Sequence, residues 1–547
     1  PATILANRPV SGEDSIAVFP GADSGRAGQS FTLPGTASLD TVVVQLDDRV
    51  ASPDLEGSLT LELYSADSAG RPTGPLLASL SGELPAGLGP GDYLSFDLPG
   101  SPPLGPGRYA LTLSTSDAHV VLNTTAGESF ADGTLLETTI VGWTEASPAG
   151  RDLVFGLTGE LTVRPAPAAG PNILVILADD FGWTDLATGR PNLGNGSDFH
   201  QTPHLDRLAR EGLSFSYCFV QPNCAPTRAA LLSGQYAPRS GNGVYNVNSL
   251  NRGSGGEALT PPSQREDVPA SHYTMAEMLV DAGYVTCHVG KYHVGNKDGG
   301  NSTSPGNQGF DANFGGGSAG APGSFFANAS GVFQSPTASI DAFGAPYTGS
   351  YTTSVLGPVA NGNDASSLNG TNKHLTDAEA DAVLRFLDDH RSGPLADYPF
   401  YLQYHPYAVH TPIQPRPDLK AKYDGLPPGQ RHTNRSYAAL VEGLDMSVGR
   451  ILDYLDDPDG DGNREDSLAE DTLVIFLTDN GGHEGPTDNT PLRSRKGSFY
   501  NGGIRVPMIV RQPGTVPANA LTDTLVHAVD LFPTLMEVAG GTTPEIY

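Results

Sequence analysis

The chain has 547 residues, and it carries 61 Asp and Glu residues against 31 Lys and Arg residues. Domains of roughly 100–200 residues are usual, so two or three are expected. The formal net charge of -30 repels nucleic acid and anionic membranes over long range, and no stretch reaches the roughly 18–20 apolar residues that a membrane span needs.

Residues 1–165 have the pattern of an all-β domain. Short runs that alternate apolar and polar residues, such as 41–46 and 109–114, are separated by turns rich in Gly, Pro and Asp. This spacing predicts a β-sandwich or jelly roll. The segment at 163–172 is a Pro/Ala linker, so the sequence predicts a β-sandwich accessory domain at 1–165 and a second domain at 166–547.

The second domain alternates buried strands with helices. The continuous apolar run NILVILADD at 172–180 is typical of a parallel strand covered on both faces. The alternation predicts an α/β fold with a doubly wound, mostly parallel sheet. Residues 296–372 are rich in Gly, Ser and Asn, and we interpret them as long loops at the sheet edge. Helices are predicted at 203–212, 274–282, 376–390 and 435–456, and further buried strands at 285–290, 399–404, 472–478 and 506–510.

Polar residues follow two of the predicted strands directly. Asp179 and Asp180 end the first buried run, and Asp479 and Asn480 follow the run at 472–478. Ligands of open α/β sheets bind beyond the carboxyl ends of the strands. Three carboxylates and an amide oxygen there would select a hard cation, Ca²⁺ or Mg²⁺. Alternatively, the two pairs are turn formers and helix caps.

The segment CAPTRAALLSG at 224–234 predicts a helix with Cys224 at its start. Pro226 suits the first turn of this helix, and Gly234 suits its end. Backbone N–H groups and the helix dipole favour an anion beside Cys224. Arg228 lies one turn further along the same face. A nucleophile, an anion site and a cation are thereby expected together, although most lone cysteines are simply buried.

The motif Cys-x-Pro-x-Arg, present here as Cys224-Ala-Pro-Thr-Arg228, resembles the signature of the formylglycine-dependent sulfatases of the alkaline-phosphatase-like superfamily. In that family a formylglycine-generating enzyme oxidises the cysteine to an aldehyde, which hydrates to a gem-diol. The resemblance extends over about residues 171–540 and preserves the order of the family's motifs. The matching segments are PNILVILADDFGWTDL, TPHLDRLAREGLSFSYCF, TMAEMLVDAGYVTCHVGKYHVG and PLRSRKGSFYNGGIRVPMIV.

The resemblance implies a role for each matching residue. A Ca²⁺ ion would be bound by Asp179, Asp180, Asp479, Asn480 and the modified Cys224. Mg²⁺ is the less favoured ion. Arg228 would steady the hydrated aldehyde, and Lys291 would hold sulfate oxygens. His293 would take a proton from the gem-diol. His410 and Lys496 would act on the leaving-group side as an acid or an electrostatic clamp.

Elementary chemistry agrees with these roles. Transfer of an anionic group needs cations on its non-bridging oxygens and a titratable acid at the leaving oxygen. Lys291 and His293 are two residues apart, and we predict that they lie on one strand and point to the same face. The alternative for each is ordinary, since a lone His is usually structural and a Lys stem usually covers apolar surface.

The chain departs from the family pattern in two places. Ser494 and Arg495 stand where the family commonly has Gly-Gly before the later lysine. Arg493 and Arg495 flank that lysine, and we expect them to bind a second sulfate or a uronate, with a solvent-facing Arg495 as the alternative. His483 is a further candidate substrate contact. The chain also stops at Tyr547, before the family's usual small C-terminal β-rich subdomain, which we therefore expect to be missing.

The acidic segment at 457–470 resembles a calcium-binding loop. Asp457, Asp459, Asp461 and Asn463 alternate along it, as the ligands of such loops do. No register of the loop fits fully. A second Ca²⁺ is the functional hypothesis, and a solvated acidic turn is the alternative.

These observations favour hydrolysis of sulfate esters, and we expect the substrate to be a sulfated polysaccharide or its oligosaccharides. Two alternatives stay open. One is a phosphonate or phosphate ester hydrolase of the same superfamily. The other is a glycan-binding protein with an inactive sulfatase-like domain.

The chain begins at Pro1 without Met, so we expect a secreted or periplasmic protein whose signal peptide has been removed. Three cysteines do not make a disulfide framework, and Cys218 and Cys287 are interpreted as buried thiols. Basic side chains in or beside the predicted loops are candidate sugar contacts: Arg239, Arg252, Lys373, His374, Arg416, Arg431 and Arg435.

Overall fold

The chain divides into two compact units, Pro1–Pro165 and Ala166–Tyr547. A computed structural model describes the second unit over residues 167–239, 265–295, 303–357, 363–393 and 395–540. In the first unit it describes the backbone of the strands only. Arg252, among the candidate sugar contacts, lies outside the described residues.

The strands of the first unit pair into one sheet. They are β1 (Thr3–Ile4), β2 (Arg26–Leu33), β3 (Thr36–Gln45), β4 (Ser58–Ala66), β5 (Pro72–Glu83), β6 (Tyr93–Asp97), β7 (Gly107–Thr115), β8 (Thr139–Trp143) and β9 (Asp152–Thr162). The order is β5-β4-β7-β2-β8-β9-β3-β6, with β1 on β9, and every pairing between these described strands is antiparallel. The β-sandwich itself stays a prediction.

The second unit contains eight strands and nine α-helices within its described ranges. The strands are β10 (Asn172–Ala178), β11 (Leu213–Phe219), β12 (Val285–Gly290), β13 (Ala312–Phe314), β14 (Phe400–His405), β15 (Thr472–Thr478), β16 (Arg505–Arg511) and β17 (Ala520–His527). The helices are α1 (Pro203–Glu211), α2 (Cys224–Ser233), α3 (Met275–Asp281), α4 (Gly349–Ser354), α5 (Leu375–Ser392), α6 (Pro417–Asp424), α7 (Arg435–Asp456), α8 (Asn501–Ile504) and α9 (Leu531–Val538).

The eight strands form a mixed sheet in the order β13-β12-β14-β10-β15-β16-β11-β17. Only β16 runs antiparallel to its neighbours β15 and β11, and the other pairings are parallel. The predicted mostly parallel sheet is thereby confirmed. Its central strands β14, β10 and β15 are buried along their whole length except at Asn172, which explains their continuous apolar sequences.

Helices cover both faces of this sheet. On β10, Leu174 and Ile176 pack into one hydrophobic cluster with side chains of α1, α5 and α7. Ile173 and Val175 point the other way, into a cluster with side chains of α2, α3 and α9. Alternate residues of a strand face opposite sides, so the two clusters are the two layers of a doubly wound fold. This arrangement was predicted and is confirmed.

Segment 296–372 is described at 303–357 and 363–372, and there it consists of turns, three short 3₁₀-helices, β13 and α4. Phe325, Phe333 and Ile340 join the cluster that also contains α5. The segment therefore packs on the sheet edge, as expected for long loops. Over the described part of the chain, no helix is long and apolar enough to span a membrane.

Candidate functional site

Four polar side chains lie together at the carboxyl ends of β10 and β15. The two strands pair in parallel, with Ala178 opposite Thr478, so the residues that follow them become neighbours. The Asp180 N–H donates to Oδ1 of Asp479 at 3.2 Å, and Asn480 Nδ2 donates to Oδ1 of Asp180 at 2.8 Å. These residues are at most 1% exposed, as is Asp179. The fold thus brings the pair Asp179–Asp180 next to the pair Asp479–Asn480.

Each of the three carboxylates is paired with one cation. The pairs are Lys291 Nζ with Asp179 Oδ2 at 2.7 Å, Lys496 Nζ with Asp180 Oδ1 at 2.6 Å, and Arg228 Nη2 with Asp479 Oδ2 at 2.8 Å. Five of these six side chains are nearly or fully buried, and Lys496 is 15% exposed. Buried ions need such partners because desolvation of an unpaired charge is very unfavourable.

Three oxygen atoms of the cluster have no hydrogen-bond partner among the described residues. They are Asp179 Oδ1, Asp180 Oδ2 and Asn480 Oδ1, and all are buried. An unsatisfied buried acceptor costs about 1–3 kcal/mol, so three of them at one end of the sheet favour binding of a cation. Burial raises the pKa of Asp179 to about 8 despite Lys291, which also fits a carboxylate that needs a metal. Oxygen ligands of this kind match Ca²⁺.

Cys224 begins helix α2, beside these carboxylates. A ligand atom of Cys224 lies within 4.8 Å of those of Asp179 and Asp479. Asn223 precedes the helix in an extended conformation, and the Thr227 hydroxyl accepts from the Gln221 N–H at 3.0 Å, which holds the entering loop. Burial raises the pKa of the Cys224 thiol, so the unmodified side chain is a poor anionic nucleophile.

The prediction that Lys291 and His293 lie on one strand was wrong, because the chain turns at Gly290. Strand β12 ends at Gly290, whose φ is +97°, and a Cβ there would lie 2.3 Å from the carbonyl oxygen of His405. The chain therefore turns at this position, because only glycine accepts this conformation so close to another backbone. His293 itself has a φ of +70°. Turn geometry, rather than strand alternation, positions the two side chains.

His293 and His410 both lie at the cluster. His293 is 2% exposed, and neither of its ring nitrogens has a hydrogen-bond partner within the described ranges. Burial, then Lys291, lowers its pKa well below the usual value. His410 Nε2 is 3.6 Å from Oδ2 of Asp180. Burial and Lys291 lower the pKa of His410 to about 4, so both rings are neutral near neutral pH.

Arg493, Arg495 and His483 lie on exposed or half-buried loops beyond the cluster. The Arg493 guanidinium stacks 3.7 Å from the Tyr500 ring centre, and Arg495 Nη2 is 2.7 Å from Oε2 of Glu484. His483 Nδ1 is 2.8 Å from the Glu484 carbonyl oxygen. The roles of the three residues in substrate binding stay predictions.

The acidic turn differs in detail from the predicted ligand set. Ligand atoms of Asp457, Asp459 and Asp466 lie within 4.8 Å of one another. Asp466 therefore takes the place of the predicted Asp461 and Asn463. Oδ1 atoms of Asp461 and Asn463 accept backbone N–H groups of the same turn at 2.6 and 3.2 Å. A second Ca²⁺ at this turn stays a hypothesis.

Most of the described basic side chains proposed as sugar contacts stabilise the fold instead. Arg416 is 1% exposed and pairs with Asp377 and Asp418 at 3.2 and 2.7 Å. Lys373, 4% exposed, pairs with Asp381 at 2.8 Å. The prediction was wrong for these residues because their acidic partners are not apparent from loop position alone. His374 is likewise buried, and Arg431 and Arg435 donate to backbone carbonyls.

Two residues that support the site were not predicted. Tyr437, on α7, donates to the carbonyl oxygen of Asp180 at 3.3 Å and to Oδ2 of Asp185 at 2.7 Å. Glu379, on α5, is fully buried and accepts the Tyr407 N–H at 3.2 Å. A carboxylate within the apolar face of a predicted helix was the available signal for Glu379.

The sequence matches the family model described as Sulfatase over residues 171–541. It is 46% identical over 392 residues to a sulfatase of Formosa agariphila, covering 68% of this chain and 69% of that protein. It is 30% identical over 391 residues to N-acetylgalactosamine-6-sulfatase of Homo sapiens, covering 68% of this chain and 63% of that protein. These relatives are sulfuric ester hydrolases.

A solved structure shows the same fold. The crystal structure of Ps i-CgsB in complex with k-i-k-neocarrahexaose superposes with a TM-score of 0.50 at 28% identity, covering 69% of this chain and 73% of that one. The family match covers the α/β unit that holds the buried cluster. The chain belongs to the sulfatase family.

Proposed function

We propose that the protein hydrolyses sulfate esters of a carbohydrate, with a formylglycine derived from Cys224 as nucleophile. The observation that carries this proposal is the buried cluster around Cys224. Three carboxylates there are paired with Lys291, Lys496 and Arg228. One further oxygen atom on each of Asp179, Asp180 and Asn480 lacks a hydrogen-bond partner among the described residues. We further propose that Asp179, Asp180, Asp479, Asn480 and the modified Cys224 bind Ca²⁺.

The charge of the cluster supports an anionic substrate. Its three carboxylates and three cations balance, so a bound divalent cation would make the site positive. A sulfate ester carries a negative charge on its non-bridging oxygens, and preorganised cations around such a group stabilise its transfer. The Cys224 backbone at the start of α2 adds helix N–H groups that favour an anion. Charge and geometry therefore agree.

Different side chains of the cluster would take different roles in the reaction. The hydrated aldehyde would supply an oxygen nucleophile and a built-in route for release of sulfate. Lys291 and Lys496 would hold sulfate oxygens, and Asp180 raises the pKa of Lys496, outweighing its burial, so that it stays charged. The alcohol leaves with the S–O electron pair and with the proton that the attacking hydroxyl gives up. The unprotonated nitrogen of neutral His410 would take up that proton and pass it to the alcohol, and charged Lys496 would stabilise the leaving oxygen. Neutral His293 would accept a proton from the nucleophile during release.

The names of the matched proteins support a carbohydrate substrate. One structural relative holds a neocarrahexaose, and one sequence relative is an N-acetylgalactosamine-6-sulfatase. The exposed Arg493 and Arg495 flank Lys496, where they would contact further anionic groups of such a substrate. We propose residues 166–547 as the catalytic domain and 1–165 as an accessory domain of a secreted or periplasmic protein.

A sulfate-release assay on a panel of sulfated glycans tests this function. The protein is co-expressed with a formylglycine-generating enzyme, and Cys224→Ala is compared with Cys287→Ala, a matched change at another buried free cysteine. We expect release that only Cys224→Ala abolishes. Turnover of aryl phosphate or aryl phosphonate esters, measured as released phenol, without turnover of sulfate esters would contradict the proposal, and so would glycan binding without turnover.

A further inference from the structure

A second buried cluster joins the loop that follows β10 to the segments that precede α1 and α7. Asp185 is in that loop, His200 precedes α1, and His432 precedes α7. Their relative exposures are 0, 4 and 2%, and one ligand atom of each lies within 4.8 Å of the others. Two imidazoles and a carboxylate are a different donor set from the oxygen ligands beside Cys224.

The three side chains of this cluster do not hydrogen-bond to one another; His200 Nδ1 instead donates to the backbone carbonyl oxygen of Asp185 at 3.1 Å, which leaves Nε2 as its free nitrogen. Oδ1 of Asp185 is 3.6 Å from His432 Nε2 and 3.7 Å from His200 Nδ1, beyond the range of a side-chain hydrogen bond. Two ligands held at about 2.0–2.2 Å by one tetrahedral ion are roughly 3.3–3.6 Å apart. The separation between Asp185 Oδ1 and His432 Nε2 is therefore close to that of two ligands that share a metal.

A lone pair of His432 points at the carboxylate. His432 Nδ1 is 3.3 Å from Oδ1 of Asp198, to which it donates. Burial opposes ionisation of Asp198, but backbone N–H groups of residues 430–432 outweigh it and hold its pKa below the usual range. Nε2 of His432 is then the unprotonated nitrogen, and it has no hydrogen-bond partner among the residues described. Two acceptors facing each other need a cation between them.

A proton is a poor candidate for that cation. Oδ2 of Asp185 accepts from the Gly182 N–H and the Tyr437 hydroxyl, both at 2.7 Å, and Oδ1 accepts from Thr487. These three hydrogen bonds stabilise the ionised carboxylate, and in this fully buried position its charge needs a counterion. A bound divalent cation would stabilise that carboxylate without protonating either imidazole.

We propose that Asp185, His200 and His432 bind a zinc ion. Imidazole nitrogens with a carboxylate are a common zinc donor set, and a site with three protein ligands keeps one position for water. Asp198 orients His432 in the carboxylate–histidine arrangement that supports zinc sites. The ion would join three chain segments, and Tyr437 would link it to the Asp180 carbonyl. This proposal does not depend on the substrate.

Zinc content measured on the full chain tests the site. The protein is purified with a tag that lacks histidine, stripped with a chelator, incubated with Zn²⁺ in excess Ca²⁺, freed of unbound metal and analysed by mass spectrometry for metals. The variants are His200→Gln and His432→Gln. The matched control is His204→Gln, a half-buried histidine of α1. A further variant, Asp179→Asn, shows whether zinc binds at the cluster beside Cys224 instead, since it should then lose its zinc.

We expect one equivalent of zinc in the wild type, in His204→Gln and in Asp179→Asn, and its loss in His200→Gln and His432→Gln. Asp198→Asn keeps all three ligands and should weaken zinc binding by about 10–100-fold. Equal zinc in the wild type and His432→Gln would overturn the proposal, as would zinc lost only in Asp179→Asn. If the ligand variants fail to fold, the visible absorption spectrum of the stripped wild type with added Co²⁺ tests the site. Intense visible bands of four-coordinate Co²⁺, weakened in Asp198→Asn, support the site, and their absence refutes it.

Discussion

Lys496 Nζ lies 2.6 Å from Oδ1 of Asp180, and this ion pair connects the loop after β15 to the carboxyl end of β10. The other oxygen of the same carboxylate, Oδ2, faces His410 at 3.6 Å and has no hydrogen-bond partner in the described part of the chain. Asp180 therefore lies between the two residues that we propose act on the leaving group, and it leaves one oxygen for a metal.

Replacement of Lys496 tests the electrostatic clamp. Loss of one preorganised donor usually raises the activation free energy by about 2.7–4 kcal/mol, so Lys496→Ala should lower kcat/KM for sulfate release by about 10²–10³. Lys420→Ala, at an exposed lysine paired with Asp424, is the control and should leave the rate unchanged. An unchanged rate in Lys496→Ala would remove this residue from the mechanism.

Calcium should stabilise the fold through the cluster beside Cys224. Ca²⁺ at about 100 times its dissociation constant should raise the free energy of unfolding in urea by about 2.7 kcal/mol, and Asp180→Asn should abolish that increase. Asp424→Asn, at an exposed carboxylate, is the control. An increase that persists in Asp180→Asn but disappears in Asp459→Asn would place the stabilising ion in the acidic turn instead.

Arg416 should matter for stability rather than for sugar binding. Arg416→Met leaves buried Asp377 and Asp418 without their partner, so we expect a loss of about 3–5 kcal/mol in the free energy of unfolding. Arg385→Met, at an exposed pair with Asp389, should change stability by at most about 0.5 kcal/mol. A stable Arg416→Met variant with a raised KM would restore Arg416 as a substrate contact.

His527 should make stability depend on pH. Its Nδ1 accepts the Val529 N–H at 3.2 Å, and burial lowers its pKa from 6.5 to about 4. Because the unfolded chain binds the proton more readily, this stabilisation is complete above about pH 6.5 and is lost as the pH falls towards 4. His527→Asn keeps a capping side chain that does not titrate. The loss of unfolding free energy on acidification should then be smaller by about 1 kcal/mol, and an identical pH profile would exclude this role.

Periodicity predicted the central elements of the α/β unit because burial dictates their composition. The run at 172–180 became β10, and the pattern at 435–456 became α7 with the same bounds. Strand β17 was not predicted, since most of its side chains are half-buried or exposed and it therefore lacks an apolar pattern. The short edge strand β13 was not predicted either.

The cluster residues could be predicted from the sequence only where a motif or a strand end identified them. Asp179 and Asp479 followed apolar runs, whereas the turn at Gly290 that positions Lys291 depends on the approach of His405 from another strand. The interior position of Arg416 likewise depends on Asp377, which is distant in sequence. Contacts between remote segments arise from tertiary packing, which local spacing does not encode.

The most direct test of the central claim relates the rate of sulfate release to the fraction of residue 224 present as aldehyde. Preparations made with different amounts of formylglycine-generating enzyme are assayed on the best glycan of the panel, and the peptide that contains position 224 is quantified by mass spectrometry. We predict that the rate rises in proportion to the aldehyde fraction and is zero when Cys224 is unconverted. A rate that does not change with conversion, or that persists in Cys224→Ala, would contradict the account.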